Sequence, residues 1–242
     1  MTGDELYLRG VDTLLGSWEA IARGSREARV IRAEGVAAAV FPHEPERSVY
    51  NNALLERGAR REAVAALEDA YASAGVDRFA VWVHESDETM RTGLEARGYV
   101  LQETTRAMGM AIGDVRTPVV DVDLATPDWS EYVHYLERAG VPAGLLADVD
   151  PDAFRLLLAR HDGELVGTAL GFDNDGDRGI FNVSTLEHAR RRGLGTALTT
   201  LLVHEAAARG ATTATLQSTE MAEGVYAAVG FRDLGRFLEY GR

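Results

Sequence analysis

From residue 154 onward the hydrophobic positions come in short runs separated by turns rich in glycine and aspartate. Residues 154–160 and 165–172 read as two strands, and His161, Asp162, Gly163 and Glu164 between them read as a hairpin turn. Asp173 to Asp177 form a second turn before a strand predicted over 179–186. The spacing then lengthens: Leu198, Leu201 and Leu202 recur at helical intervals within 194–209, and Gly210 stops that helix. A strand over 211–218, a helix over 222–229 and a strand over 231–240 follow. Ahead of this block, 119–124 alternates as a strand. Pro127 and Asp128 open a helix that runs to Arg138 and stops at Gly140, and 143–147 forms a second short helical stretch.

The first half carries a weaker version of the same pattern. It predicts helices over 12–23 and 60–73 and strands over 28–33, 36–41, 78–84 and 99–110. Two short segments repeat in order. RSVYNNALLE at 47–56 aligns with RGIFNVSTLE at 178–187, and LEARGY at 94–99 parallels YAAVGF at 226–231. Gly113, Thr117 and Pro118 punctuate the chain between the copies, which places a boundary after residue 116 and gives modules of 1–116 and 117–242.

One segment carries recognisable chemistry. Between the strand 179–186 and the helix from Leu194 stand Arg190, Arg191, Arg192, Gly193, Leu194, Gly195, Thr196 and Ala197. The two glycines permit a sharp turn with accessible N–H groups, the helix start adds its positive dipole end, and the arginines add full charges. Such a loop suits a pyrophosphate. A dinucleotide fingerprint would need glycine where Leu198 stands, and a Walker loop needs lysine, of which the chain has none.

Composition narrows the field further. The chain has 242 residues, 46% of them hydrophobic, enough for one large or two small domains, and no apolar run long enough for a membrane helix. It has no cysteine, which excludes disulfides, thiolate metal sites and a cysteine nucleophile. The net charge of −13 opposes nucleic-acid binding. With no secretory signal visible, a cytoplasmic location is expected. Asp173, Asn174, Asp175, Gly176 and Asp177 look briefly like a calcium loop, but the glycine falls too early and Ser184 takes the place of the closing glutamate. No metal is expected.

The arginine–glycine loop fits [Arg/Gln]-x-x-Gly-x-[Gly/Ala] and resembles the acetyl-CoA loop of the GNAT superfamily of N-acetyltransferases. The order of elements along the second half, and Val225-Tyr226 followed by Gly230-Phe231, resemble that family as well. The resemblance implies an α/β (α+β) fold of two GNAT-like modules, each a mixed, mostly antiparallel sheet flanked by helices. It also implies acetyl-CoA as co-substrate and an amine, on a small molecule or peptide, as acceptor. It places pantetheine along Ser184, Thr185 and Leu186, the pyrophosphate at Arg190, Arg191, Arg192, Gly193, Leu194, Gly195 and Thr196, and further contacts at Gln217 and Tyr226. Tyr226 becomes the candidate general acid. Glu187 is the candidate base, with Asn182 or Ser184 able to order a relay water and Glu220 and Glu223 across the expected cleft. His188 is read as a surface or phosphate-adjacent residue rather than the base. At the repeat offset, Glu62, Val64 and Leu94 replace Gly193, Gly195 and Tyr226, so the first module is expected to bind no CoA. A monomer or a homodimer is compatible with this reading, and a non-catalytic acyl-CoA sensor is the alternative function.

Overall fold

A computed structural model describes residues 1–33, 35–117 and 122–242. The chain divides into two compact units. The larger comprises Met1–Ser17 and Ala107–Leu234, the smaller Trp18–Arg106 and Gly235–Arg242. The single boundary after residue 116 read from the sequence therefore does not separate these units, because each takes in an end of the chain.

The smaller unit holds, in chain order, β1 (Arg29–Ala33), β2 (Val36–Val40), β3 (Asn52–Leu55), α2 (Glu62–Ser73), β4 (Ala80–His84), α3 (Glu88–Ala96) and most of β5 (Val100–Ala111). The larger holds α4 (Trp129–Arg138), β6 (Arg155–His161), β7 (Glu164–Asn174), β8 (Asp177–Thr185), α5 (Leu194–Ala208), β9 (Thr213–Ser218), α6 (Glu223–Val229) and the start of β10 (Arg232–Gly241). Helix α1 (Gly3–Gly24) gives its first residues to the larger unit and its last to the smaller. Both sets run strand, strand, strand, helix, strand, short helix, long strand. In both, the third and fourth strands pair in parallel around the intervening helix: β3 with β4, and β8 with β9. The other registered pairs are antiparallel. This is the mixed, mostly antiparallel architecture expected.

The final strands are exchanged. From Gly235 onward β10 pairs antiparallel with β4, with Phe237 opposite His84 and Tyr240 opposite Val81. From Ala107 onward β5 belongs to the larger unit, beside β9. Each unit has its own core. In the smaller, Val64, Leu67 and Tyr71 of α2 and Met90 and Leu94 of α3 cover Val81, Val83, Leu238 and Tyr240. In the larger, Leu198, Leu202 and Val203 of α5, all fully buried, cover Leu157, Ala169, Ile180 and Leu216. Each such side chain contributes roughly 1.5–3 kcal/mol by burial, which fixes α5 and the loop before it against β8.

Several elements differ from the sequence reading. Helix α1 begins at Gly3 rather than residue 12. Gly10 and Gly16 look like helix breakers, yet they are points of close packing: a Cβ at Gly10 would stand 3.2 Å from Thr215, and one at Gly16 3.1 Å from Phe172. Strand β3 and helix α3 were not predicted. The first is only four residues long. The second is short and polar, and is started by Asp87, whose carboxylate accepts the Met90 N–H at 3.1 Å. The stretch 143–147 holds a 3-10 helix, Gly144–Leu146. Residues 119–121 of the strand predicted over 119–124 lie outside the described residues, and Leu124 forms an isolated bridge with Ala159. Both predicted aspartate–glycine turns are tight hairpins with left-handed backbone at Asp162, Gly163, Asp175 and Gly176. Among the described residues no helix is long and apolar enough to cross a membrane.

Candidate active site

The site grows from the way β8 parts from its neighbours. Its first residues pair with β9 from Asp177 opposite Thr213 to Ile180 opposite Leu216, where the registered pairs end. Strand β8 itself continues to Thr185. On its other side the ladder with β7 slips: Thr168 faces Ser184 and Leu170 faces Phe181, so Asn182 and Val183 stand opposite the single Ala169. This is a β-bulge, and Asn182 occupies it in the left-handed region at φ 47°. A bulge bends its strand, and past Ile180 no registered pair joins β8 to β9.

Helix α4 pins that bend. The Asn182 side-chain amide donates to the Tyr132 hydroxyl at 2.8 Å, and the Thr168 hydroxyl donates to the Asn182 carbonyl at 3.1 Å. One turn along α4, the Tyr135 hydroxyl lies 3.2 Å from the Val166 carbonyl and 3.4 Å from Ser184 Oγ. Burial pushes the phenols of Tyr132 and Tyr135 above their ordinary range, so both stay neutral, Tyr132 accepting from Asn182 and Tyr135 donating. The sequence reading did not single out these tyrosines. Their signal was the spacing of Tyr132, Tyr135 and Leu136 along one helix face, which reads as ordinary core.

After β8 the chain makes a 3-10 turn, Glu187–Ala189, and enters the arginine–glycine loop. Arg190 Nε donates to the Thr185 carbonyl at 3.1 Å. Arg191 at φ 61° and Gly193 at φ 78° are both left-handed, and Gly193 caps α5 with no side-chain hydrogen bond. Alternating handedness turns successive N–H groups toward one side, forming an anion-binding concavity. The first helical bond runs from Ala197 N to the Gly193 carbonyl at 2.9 Å. The N–H groups of 191–196 donate to no acceptor among the described residues. Arg190, Arg191 and Arg192 are exposed around them.

Gly195 connects loop and cleft. A Cβ there would lie 3.7 Å from Val225 of α6 and 3.8 Å from Val183 of β8. Tyr226 follows on α6, buried at 7% exposure, with its ring edge-on to Phe231 at 6.1 Å. Its hydroxyl has no hydrogen-bond partner among the described residues, and burial pushes its pKa up to about 12. Gln217, half-buried, comes one residue after the last registered pair of β8 with β9. The local structure thus brings β8 at Val183 and α6 at Val225 close to the loop at Gly195.

The acid–base residues are arranged differently. Glu187 is exposed at the start of the 3-10 turn, and its carboxylate has no partner among the described residues. His188 is engaged elsewhere, 3.1 Å from Glu164, which also accepts from Arg138 at 2.9 Å. Glu220 is exposed just before α6.

Comparison with known proteins fits this geometry. Residues 119–231 match the acetyltransferase (GNAT) family. Over that stretch, a little under half of its length, the chain is similar to the GNAT acetyltransferases. Similar solved structures carry the same fold along nearly the whole chain. A GCN5-related N-acetyltransferase from Kribbella flavida has a TM-score of 0.71 at 19% identity, over 96% of this chain and 94% of that one. One from Sphaerobacter thermophilus has a TM-score of 0.64 at 17% identity, over 94% and 93%. A tandem GNAT protein from the clavulanic acid biosynthesis pathway has a TM-score of 0.59 at 16% identity, over 97% and 94%. No curated protein matches the chain in sequence.

Proposed function

We propose that the protein transfers an acetyl group from acetyl-CoA to a primary amine by direct attack, using the site between β8, β9, α5 and α6. The observation that carries this reading is the run of unengaged N–H groups at 191–196, set beside the end of β8 beyond its last registered pair with β9. The first feature suits a pyrophosphate, the second an amide-bearing arm that pairs with backbone.

In this reading Arg190, Arg191 and Arg192 draw the phosphates in and the loop N–H groups hold them. The bulge at Asn182 turns β8 backbone toward the thioester oxygen, where an N–H stabilises developing negative charge. Acetyl-CoA supplies the acyl carbon: the amine nitrogen bonds to it, the carbon–sulfur bond breaks, and the sulfur leaves as thiol. Tyr226 donates a hydrogen bond, and finally a proton, to that sulfur. With its pKa pushed up to about 12 the phenol stays protonated at neutral pH, so its main contribution is stabilising the thiolate as it forms. Glu187 accepts the amine proton through water, as its exposure requires. The smaller unit, Trp18–Arg106 with Gly235–Arg242, is a degenerate module without a phosphate loop.

Calorimetric titration of acetyl-CoA into wild type and Gly193→Asp tests binding, and thiol release across a panel of amines tests transfer. Binding lost in the variant together with amine-dependent release supports the enzyme. Wild-type binding with no release on any amine would turn the reading toward a sensor, and absence of binding would remove it.

A further inference from the structure

Inside the β8 bulge a backbone carbonyl is held by a side chain. Thr168 faces Ser184 and Leu170 faces Phe181 across the ladder, so the peptide joining Asn182 to Val183 falls between registered pairs. The Asn182 carbonyl accepts the Thr168 hydroxyl at 3.1 Å. Thr168 is 0% exposed, so water does not compete for that hydroxyl. The hydrogen bond from the Asn182 amide to Tyr132 acts differently, since it fixes the side chain. The Thr168 bond acts on the peptide itself.

A trans peptide is planar, and its C=O and N–H point in opposite directions. The bond between Asn182 and Val183 is trans. With the carbonyl turned to the Thr168 side chain of β7, the Val183 N–H turns away from it. Strand β8 has β7 on one side and β9 on the other, and its registered pairs with β9 end at Ile180. The Val183 N–H is thus directed to the side of β8 where that pairing has stopped. Val183 also lies beside the arginine–glycine loop, its Cγ1 3.8 Å from where a Cβ on Gly195 would stand.

We propose that Thr168 is a positioning residue for acyl transfer: its buried hydroxyl fixes the peptide between Asn182 and Val183 so that the Val183 N–H donates to the thioester oxygen as charge develops there. This rests on the transferase reading. A donor aimed in this way contributes most when the oxygen becomes negative, so losing its support lowers the rate rather than the affinity for acetyl-CoA. Serine at position 168 keeps the hydroxyl and the function. Valine, of nearly the same shape, keeps neither.

The test compares the full chain as wild type, Thr168→Val and Thr168→Ser. Three quantities are measured: amine-dependent thiol release, acetyl-CoA affinity by calorimetry, and the infrared carbonyl band of bound acetyl-CoA carrying an isotope label at the acetyl carbonyl. In wild type the bound band should lie below that of free acetyl-CoA. Thr168→Val should lower kcat about ten- to a hundredfold, leave the affinity nearly unchanged and move the band back toward its free position. Thr168→Ser should restore the band and most of the rate. Thr168→Ala, which also lacks the hydroxyl, takes the place of the valine variant if that one does not fold. A wild-type band at the free position, an undiminished kcat without the hydroxyl, a loss that falls on acetyl-CoA affinity alone, or a serine variant as slow as the valine one would each overturn the proposal and leave the transferase reading standing. A wild type that neither binds acetyl-CoA nor releases thiol with any amine would remove that reading, and the proposal with it.

Discussion

The Asn182 amide donates to the Tyr132 hydroxyl at 2.8 Å, tying the left-handed residue of the β8 bulge to a fully buried residue of α4. The two parts of that arrangement separate by mutation. Asn182→Gly keeps the backbone conformation and loses the hydrogen bond. Asn182→Ala loses the hydrogen bond and the side-chain amide that eases asparagine into the left-handed region, and because it keeps the Cβ that glycine lacks it should lie about 1–2 kcal/mol below the glycine variant. Urea unfolding should rank wild type above Asn182→Gly and Asn182→Ala lowest. Tyr132→Phe removes the hydroxyl itself and should cost about 1 kcal/mol. Equal stability of the alanine and glycine variants would mean that the bulge is not held as described.

Gly193 offers a different separation. Its φ of 78° strains any other residue, yet a Cβ there meets nothing within 4 Å. Gly193→Ala should therefore cost about 1–2 kcal/mol of stability and weaken acetyl-CoA binding only modestly. Gly193→Asp should add electrostatic repulsion and lower the affinity by more than about tenfold. Calorimetry reads both, and equal losses in the two variants would point to backbone strain rather than phosphate repulsion.

The Tyr226 phenol rises from 10.0 to about 12 through burial. Because the folded value lies above the unfolded one, its contribution to stability is complete below pH 10 and is lost as pH climbs through about 12, a loss of about 2–3 kcal/mol. Tyr226→Phe should flatten that part of the alkaline unfolding curve. If the phenol serves acyl transfer, the rate should show no descending limb from Tyr226 near pH 10, and a limb there that disappears in Tyr226→Phe would contradict the burial described.

Glu239, on β10, has its carboxyl pushed up to about 7, first by burial and then by Glu103. The neutral form is the favoured one, so its stabilising share is present below pH 4.5 and lost as pH rises through about 7. Glu239→Gln should stabilise the protein at pH 8 by up to about 2 kcal/mol, allowing for solvent screening, and change little at pH 4. Thermal melts at both pH values provide the check.

Much of this could be read from the chain because its signals are local. The helical period of Leu198 and Leu202, the aspartate–glycine hairpins and the arginine–glycine loop each lie within a few residues, and each led to the right element. What escaped depended on distant partners. Nothing beside Asn182 announces a left-handed residue within a strand, since the conformation is supported by Tyr132, fifty residues earlier. Gly171 reads as a weak point in a strand until Arg178 is found against it. Tyr132 and Tyr135 look like core because their rings are core, and only their hydroxyls act on β8.

The exchange of β5 and β10 bears on how the protein is made. The partner that β4 requires along Val81 to His84 is β10, within the last residues of the chain. As the chain emerges from the ribosome, the smaller unit has β1 through most of β5 in hand but must wait until the β10 residues 237–240 are made before β4 has this neighbour. A nascent chain stalled after residue 116, or a gene cut there, would leave that edge of β4 without its native neighbour. The order of synthesis thus ties the completion of the smaller unit to a segment made only after the whole of the larger one.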